Sequence, residues 1–166
     1  MIRICSSLTQ AGYEVILVGR KGKNSSPLSY KPYKQKRLFT LFNKGFGFYA
    51  GYNILLFFYL LFKKTDIICC IDLDNILPGW LAAKLKNKRI VYDAHEYFCQ
   101  QKEIISRSGV YKVWDWIERT FVPKFKNGYT VSHGIAAAFK SKYGVDYQVI
   151  RNLSSLKSLS PLIHKK

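Results

Sequence analysis

The feature that most constrains this chain is a series of short, continuous apolar runs, each closed by polar residues and separated by segments of helical pattern. The runs are Glu14-Val15-Ile16-Leu17-Val18, Asp66-Ile67-Ile68-Cys69-Cys70-Ile71, Arg89-Ile90-Val91-Tyr92, Tyr129-Thr130-Val131 and Tyr147-Gln148-Val149-Ile150. A strand with one wet face alternates apolar and polar residues, whereas a continuous apolar run implies cover on both faces. Strands of that kind alternating with helices form a parallel sheet, because each crossover must lay a helix over it. The pattern predicts helices over 3–11, 47–63, 76–86, 110–126 and 134–143. Gly12 is placed to close the first in a left-handed C-cap. In the fourth, Val110, Val113, Trp114, Ile117 and Phe121 recur at helical spacing. Residues 21–27 are a polar loop, and 28–38 are at most a short edge strand. The expected fold class is therefore α/β, an open parallel sheet with helices on both faces. Residues 1–152 are expected to form one domain and 153–166 a linker or tail.

Charge matters next. The chain carries 27 Lys and Arg against 10 Asp and Glu, a formal +17, among 48% hydrophobic residues. A core can form, and disorder is excluded. Such a surface favours anionic partners: nucleic acid, phospholipid head groups or phosphorylated substrates. The basic residues fall in short clusters between apolar segments, and no helix-turn-helix, RNP or zinc pattern accompanies them. The four cysteines, Cys5, Cys69, Cys70 and Cys99, have no metal-ligand spacing and read as reduced thiols of a cytosolic protein. Cys69 and Cys70 would point to opposite faces of one strand. From Gly45 to Phe62 no residue is charged, a length at the lower limit for a membrane span. Its dense apolar part is shorter, which favours a core or membrane-surface helix.

In open parallel sheets, ligands bind beyond the carboxyl ends of the strands. The predicted strands end at Arg20, at Asp72-Leu73-Asp74-Asn75, at Asp93-Ala94-His95-Glu96, at Ser132-His133 and at Arg151-Asn152. Polar residues thus gather where a crevice would form. His95 beside carboxylates can exchange hydrogen bonds, or a proton, with a sugar hydroxyl. The competing reading makes His95 a cap or a backbone partner. Asp72 and Asp74 have the spacing of a metal-holding DxD pair, although Asp74 and Asn75 would equally cap the helix at 76–86. Ser132 is suited to cap the helix that follows it. No GxSxG, GxGxxG or GxxxxGK[ST] motif occurs, so neither a hydrolase elbow nor a dinucleotide or P-loop site is supported. Trp114, Trp116, Phe121 and Phe125 read as core aromatics.

The ordered segments Ile90-Val91-Tyr92-Asp93-Ala94-His95-Glu96, Trp114…Ile117-Glu118-Arg119, Thr130-Val131-Ser132 and Val149-Ile150-Arg151-Asn152 resemble family 4 glycosyltransferases of the GT-B type. Ser7-Leu8…Gly12-Tyr13-Glu14-Val15 is similar to the first helix and second strand of their N-terminal domain. The resemblance implies the acceptor-side, Rossmann-like half of an enzyme that moves sugar from a nucleotide-sugar donor to a polysaccharide or lipid-linked acceptor. It implies His95 and Glu96 at the reacting sugar. Arg20, Asp72, Asp74, Asn75, Asp93, Ser132, His133, Arg151 and Asn152 would line the substrate crevice. It also implies no metal and no cofactor, the nucleotide sugar being a co-substrate held mainly by a C-terminal half.

Expected partners are a sugar or lipid-linked acceptor, an anionic membrane surface on the cytoplasmic side, and a separate donor-binding chain, with no nucleic acid. The family opens with a strand and a Gly-rich loop and crosses to its donor domain after the Arg151-Asn152 position. This chain is accordingly expected to be inactive alone. Two readings from other classes stay open: a basic α/β nucleic-acid-binding module, and a small membrane protein built on 45–62.

Overall fold

The computed structural model describes residues 1–42, 44–151 and 153. Two compact units divide the chain, Met1–Val91 and the residues from Tyr92 onward.

In the first unit, helix α1 (Ile2–Gln10) leads to strand β1 (Ile16–Lys21), which pairs in parallel with β2 (Lys34–Phe39). Gly12 has φ +90°, the left-handed conformation expected where a helix must turn off. Strand β2 is the short edge strand expected in this stretch: Ile16 to Lys21 match Lys34 to Phe39 residue for residue in a two-stranded sheet. Its lysines suit it, since backbone hydrogen bonds rather than side-chain burial define a strand with an exposed face. Helix α2 (Gly45–Phe62) follows, then β3 (Ile67–Ile71), a 3₁₀ turn at Leu73–Asn75, and α3 (Ile76–Lys86).

Along β3, Cys70 is buried and Cys69 exposed, the opposite-face arrangement predicted for adjacent strand residues. Helix α3 packs on β3 at Gly79, where an added Cβ would overlap Cys70 Sγ. Glycine there lets the helix backbone approach the strand. Helix α2 packs on α3 and β2 through one stripe, Tyr52, Leu56 and Leu60. Lys86 Nζ donates to the Leu60 carbonyl at 2.9 Å and to that of Lys63, satisfying acceptors that every helix C-terminus leaves open.

Strand β4 (Arg89–Ala94) begins in the first unit and ends in the second. Beyond it come a 3₁₀ turn at Phe98–Gln100, α4 (Lys102–Ile105), α5 (Ser108–Phe121), β5 (Gly128–Thr130), α6 (His133–Tyr143) and β6 (Gln148–Val149). Strand β5 lies between β4 and β6, parallel to both. Tyr92 is buried against Phe125, Phe139 and Tyr147, with ring centroids 5.7, 6.4 and 6.0 Å away. Gly128 makes room for Tyr147, whose ring would lie 2.7 Å from a Cβ at that position.

Helix α5 ends before its predicted boundary, because Pro123 sits in a 3₁₀ turn at Val122–Lys124. Its buried stripe matches the expected one in part. Trp114 and Phe121 face inward as expected, joined by Glu118, whereas Val110, Val113 and Trp116 are exposed, Trp116 by 60%. The proposed tail beyond Leu153 lies outside the described residues.

Candidate functional site

The carboxyl end of β4 builds the most chemically specific arrangement. Asp93 is wholly buried, at 0% exposure, while the His95 side chain retains 23%. His95 Nδ1 lies 2.7 Å from Asp93 Oδ1, and the Tyr129 hydroxyl donates to Asp93 Oδ2 at 2.8 Å. Strand pairing sets this geometry, since Asp93 stands opposite Tyr129 in the β4–β5 register and Ala94 opposite Thr130. Buried Thr130 donates from Oγ1 to the Ala94 carbonyl at 2.8 Å, pinning the backbone one residue before His95. Asp93 thus meets a ring nitrogen on one oxygen and a phenol on the other, and His95 stands one residue beyond the end of β4.

Glu96 is exposed and accepts from Gln101 Nε2. The residues that follow it are held from below. Tyr97 meets Phe139 in a tilted contact at 5.6 Å and lies under Lys142 Nζ at 5.8 Å, and Phe98 meets Trp114 at 5.0 Å. Lys142 in turn reaches the fully buried Glu118 at 3.3 Å, and Tyr143 donates to the same carboxylate oxygen. Burial, and then the neighbouring Glu118, push the buried Cys99 thiol far up. That sulfur is inert as a nucleophile.

Ser132 caps α6 as expected, its Oγ accepting from Ile135 N at 3.3 Å. His133 faces a different place, an open groove of about 370 Å³ shared with Lys140, Asp146, Tyr147 and Gln148. Arg151 is exposed beyond β6, and Asn152 lies outside the described residues. In this unit the structure joins Asp93 to His95, ties Glu96 to Gln101, and gives Ser132 a capping role.

Among the first-unit candidates, Asp72, Asp74 and Asn75 share the turn after β3. Asp72 has φ +57° and ψ 175°, a conformation that side chains rarely adopt and that strand ends at ligand sites tolerate. Burial, and then the Asp72 charge, raise the Asp74 carboxyl to about 6. Asn75 Nδ2 donates to the Ile71 carbonyl at 2.7 Å and to Asp74 Oδ1 at 2.9 Å. This corrects the capping expectation: neither Asp74 nor Asn75 makes a side-chain cap for α3, because the Asn75 amide turns back to its own strand. Burial and then Asp74 push the Tyr52 hydroxyl up to about 12. Arg20 Nε donates to Thr40 Oγ1 at 2.8 Å, and the guanidinium lies 4.6 Å from the Phe48 ring centroid. Among the described residues no group of three His, Cys, Asp or Glu could hold a metal.

Sequence reasoning missed Tyr129 and Glu118. Tyr129 was read as strand interior, and its position directly before Thr130-Val131-Ser132 signalled only a strand end. Glu118 lay inside an apolar helical stripe, and a carboxylate there was the available signal of a buried network.

In open parallel α/β sheets ligands bind beyond the carboxyl ends of the strands, which is where His95 is held. The family model for Glycosyltransferase Family 4 matches residues 1–153, and the chain belongs to that family. No curated protein matches it.

Proposed function

We propose that this chain is the acceptor-binding half of a glycosyltransferase. In this reading sugar passes from a nucleotide-sugar donor to a polysaccharide or lipid-linked acceptor at the cytoplasmic face of a membrane. The observation that carries the reading is His95, held through Nδ1 by buried Asp93 at the end of β4 in a family 4 chain. With its proton on Nδ1, the imidazole offers Nε2 to an acceptor hydroxyl, as hydrogen-bond acceptor or general base. Glu96 lies beside it, and Arg20, Asp72, Asp74, Asn75, His133 and Arg151 are the other proposed substrate contacts. Stabilisation of the departing diphosphate is a large share of such catalysis. We assign that task to a donor-binding half, so the 166 residues expressed alone bind acceptor without transferring sugar.

Helix α2 supports the membrane part of the reading. It is long and apolar enough to cross a bilayer. Yet its Tyr52–Leu56–Leu60 stripe is packed on the protein, which suits a helix lying on the surface. Phe46 and Phe62 are 84% and 80% exposed, Ile54, Leu55 and Phe58 are also exposed, and Leu41 and Phe42 extend the patch. Lys44 precedes the helix and Lys63-Lys64 follow it, with no acidic residue between. An apolar face flanked by lysines suits an anionic interface.

Two measurements test the proposal. In backbone NMR, titration with a polyprenyl-phosphate-linked sugar should move Ala94, His95 and Glu96, and His95→Ala should weaken binding at least tenfold. No response at these residues to any lipid-linked or oligosaccharide acceptor would sink the acceptor assignment. The chain should co-sediment with phosphatidylglycerol-containing vesicles and not with pure phosphatidylcholine. The Phe46→Ser/Phe62→Ser variant should lose most of that binding, and unchanged sedimentation would remove α2 from the interface.

A further inference from the structure

We infer that Asp93 and Tyr129 are positioning residues whose joint task is to fix the tautomer and orientation of the His95 ring. The inference rests on the reading of His95 as the group that meets the acceptor, and it adds the residues that prepare it. Asp93 is a carboxylate at 0% exposure, and among the described residues no Lys or Arg pairs with it. An isolated buried charge is strongly unfavourable unless hydrogen bonds compensate it. Here the compensation comes from two neighbours, His95 Nδ1 at 2.7 Å on Oδ1 and the Tyr129 hydroxyl at 2.8 Å on Oδ2.

Packing alone does not account for the arrangement, since an apolar residue of similar size would fill the space without that cost. What the carboxylate adds is direction. An acceptor-only group on Nδ1 forces the ring proton to that nitrogen and makes Nε2 the basic one. Tyr129 adds rigidity. With Oδ2 occupied by the phenol, the carboxylate cannot rotate away from the imidazole without giving up a hydrogen bond. Both residues sit at matched positions on adjacent parallel strands, so the ladder, rather than a loop, sets their separation. Thr130 extends the same support to the backbone, holding the Ala94 carbonyl at 2.8 Å.

The test is direct observation of the His95 ring by ¹⁵N-histidine NMR on the 166-residue chain. Wild type should show the proton on Nδ1, with slow solvent exchange. Asp93→Ala should shift the ring to the Nε2-protonated form usual for a histidine in water. Tyr129→Phe keeps the ring and the fold. It should retain the Nδ1 proton but speed its exchange at least tenfold. A merely structural role for Asp93 and Tyr129 would move none of these signals in a folded variant. A proton on Nε2 in wild type, or a Tyr129→Phe variant with unaltered exchange, would overturn the inference. If Asp93→Ala does not fold, the wild-type tautomer and Tyr129→Phe decide it. The tautomer is read without acceptor or donor. An Nδ1-protonated ring that ignores every acceptor would therefore count against the transferase reading and leave the positioning inference standing.

Discussion

The two units depart from the usual inside–outside arrangement in opposite senses. In the first, helix α2 is apolar around nearly its whole circumference, yet buries only Tyr52, Leu56 and Leu60 and leaves phenylalanines in contact with solvent. In the second, Asp93 and Glu118 are fully buried while Val113 and Trp116 remain outside. Exposed apolar patches and buried polar groups are the informative exceptions to burial rules. In the proposed function the first kind would serve contact with a membrane surface, and the second the orientation of His95.

The sharpest way to break the contrast is to remove the second unit's buried carboxylate. Glu118→Ala takes the carboxylate from the Tyr143 hydroxyl, leaves Lys142 with Asp115 alone and opens a cavity, and should cost about 4 kcal/mol, measured as a lowered urea midpoint. A loss below about 1 kcal/mol would reduce that network to surface decoration. Next in size is Gly79→Ala, whose methyl must displace Cys70 Sγ where helix and strand are in close contact. It should cost about 3 kcal/mol, and adding Cys70→Ala should restore most of it. That result would show the first unit to be tightly packed on its inner side despite its exposed outer face.

A smaller effect is expected at Asp74. Burial holds its folded-state carboxyl up at about 6, above the ordinary aspartate value of 3.8. The native state therefore binds the proton more tightly than the unfolded chain, and stability rises as pH falls from about 6 towards about 4. Above that window the buried charge is a standing penalty. Asp74→Asn should accordingly raise stability by about 1 kcal/mol at pH 7 and flatten the pH profile of the urea midpoint.

Much of the framework was legible. Continuous apolar runs announced β1, β3, β4 and β5, Gly12 announced the end of α1, and Ser132 announced the start of α6. Each depends on short-range geometry: a backbone angle, a cap, or a continuous apolar run. The segment Lys34–Phe39 was legible only as a short edge strand, because its lysines and arginine gave no apolar run to read. The inward face of α5 was legible in part: Trp114 and Phe121 are buried as the spacing indicated, while Val110 and Val113 are exposed and Glu118 is buried.

His95 could be singled out because a histidine between acidic residues at a strand end is unusual in its own sequence. Its support could not. Asp93 and Tyr129 are separated by more than thirty positions, and they meet only because β4 and β5 align in one particular register. Local sequence specifies where strands start and stop, since conformational preference and burial pattern act over a few residues. Pairing register is settled when distant segments pack, and the hydrogen bonds that orient the histidine exist only after that choice is made.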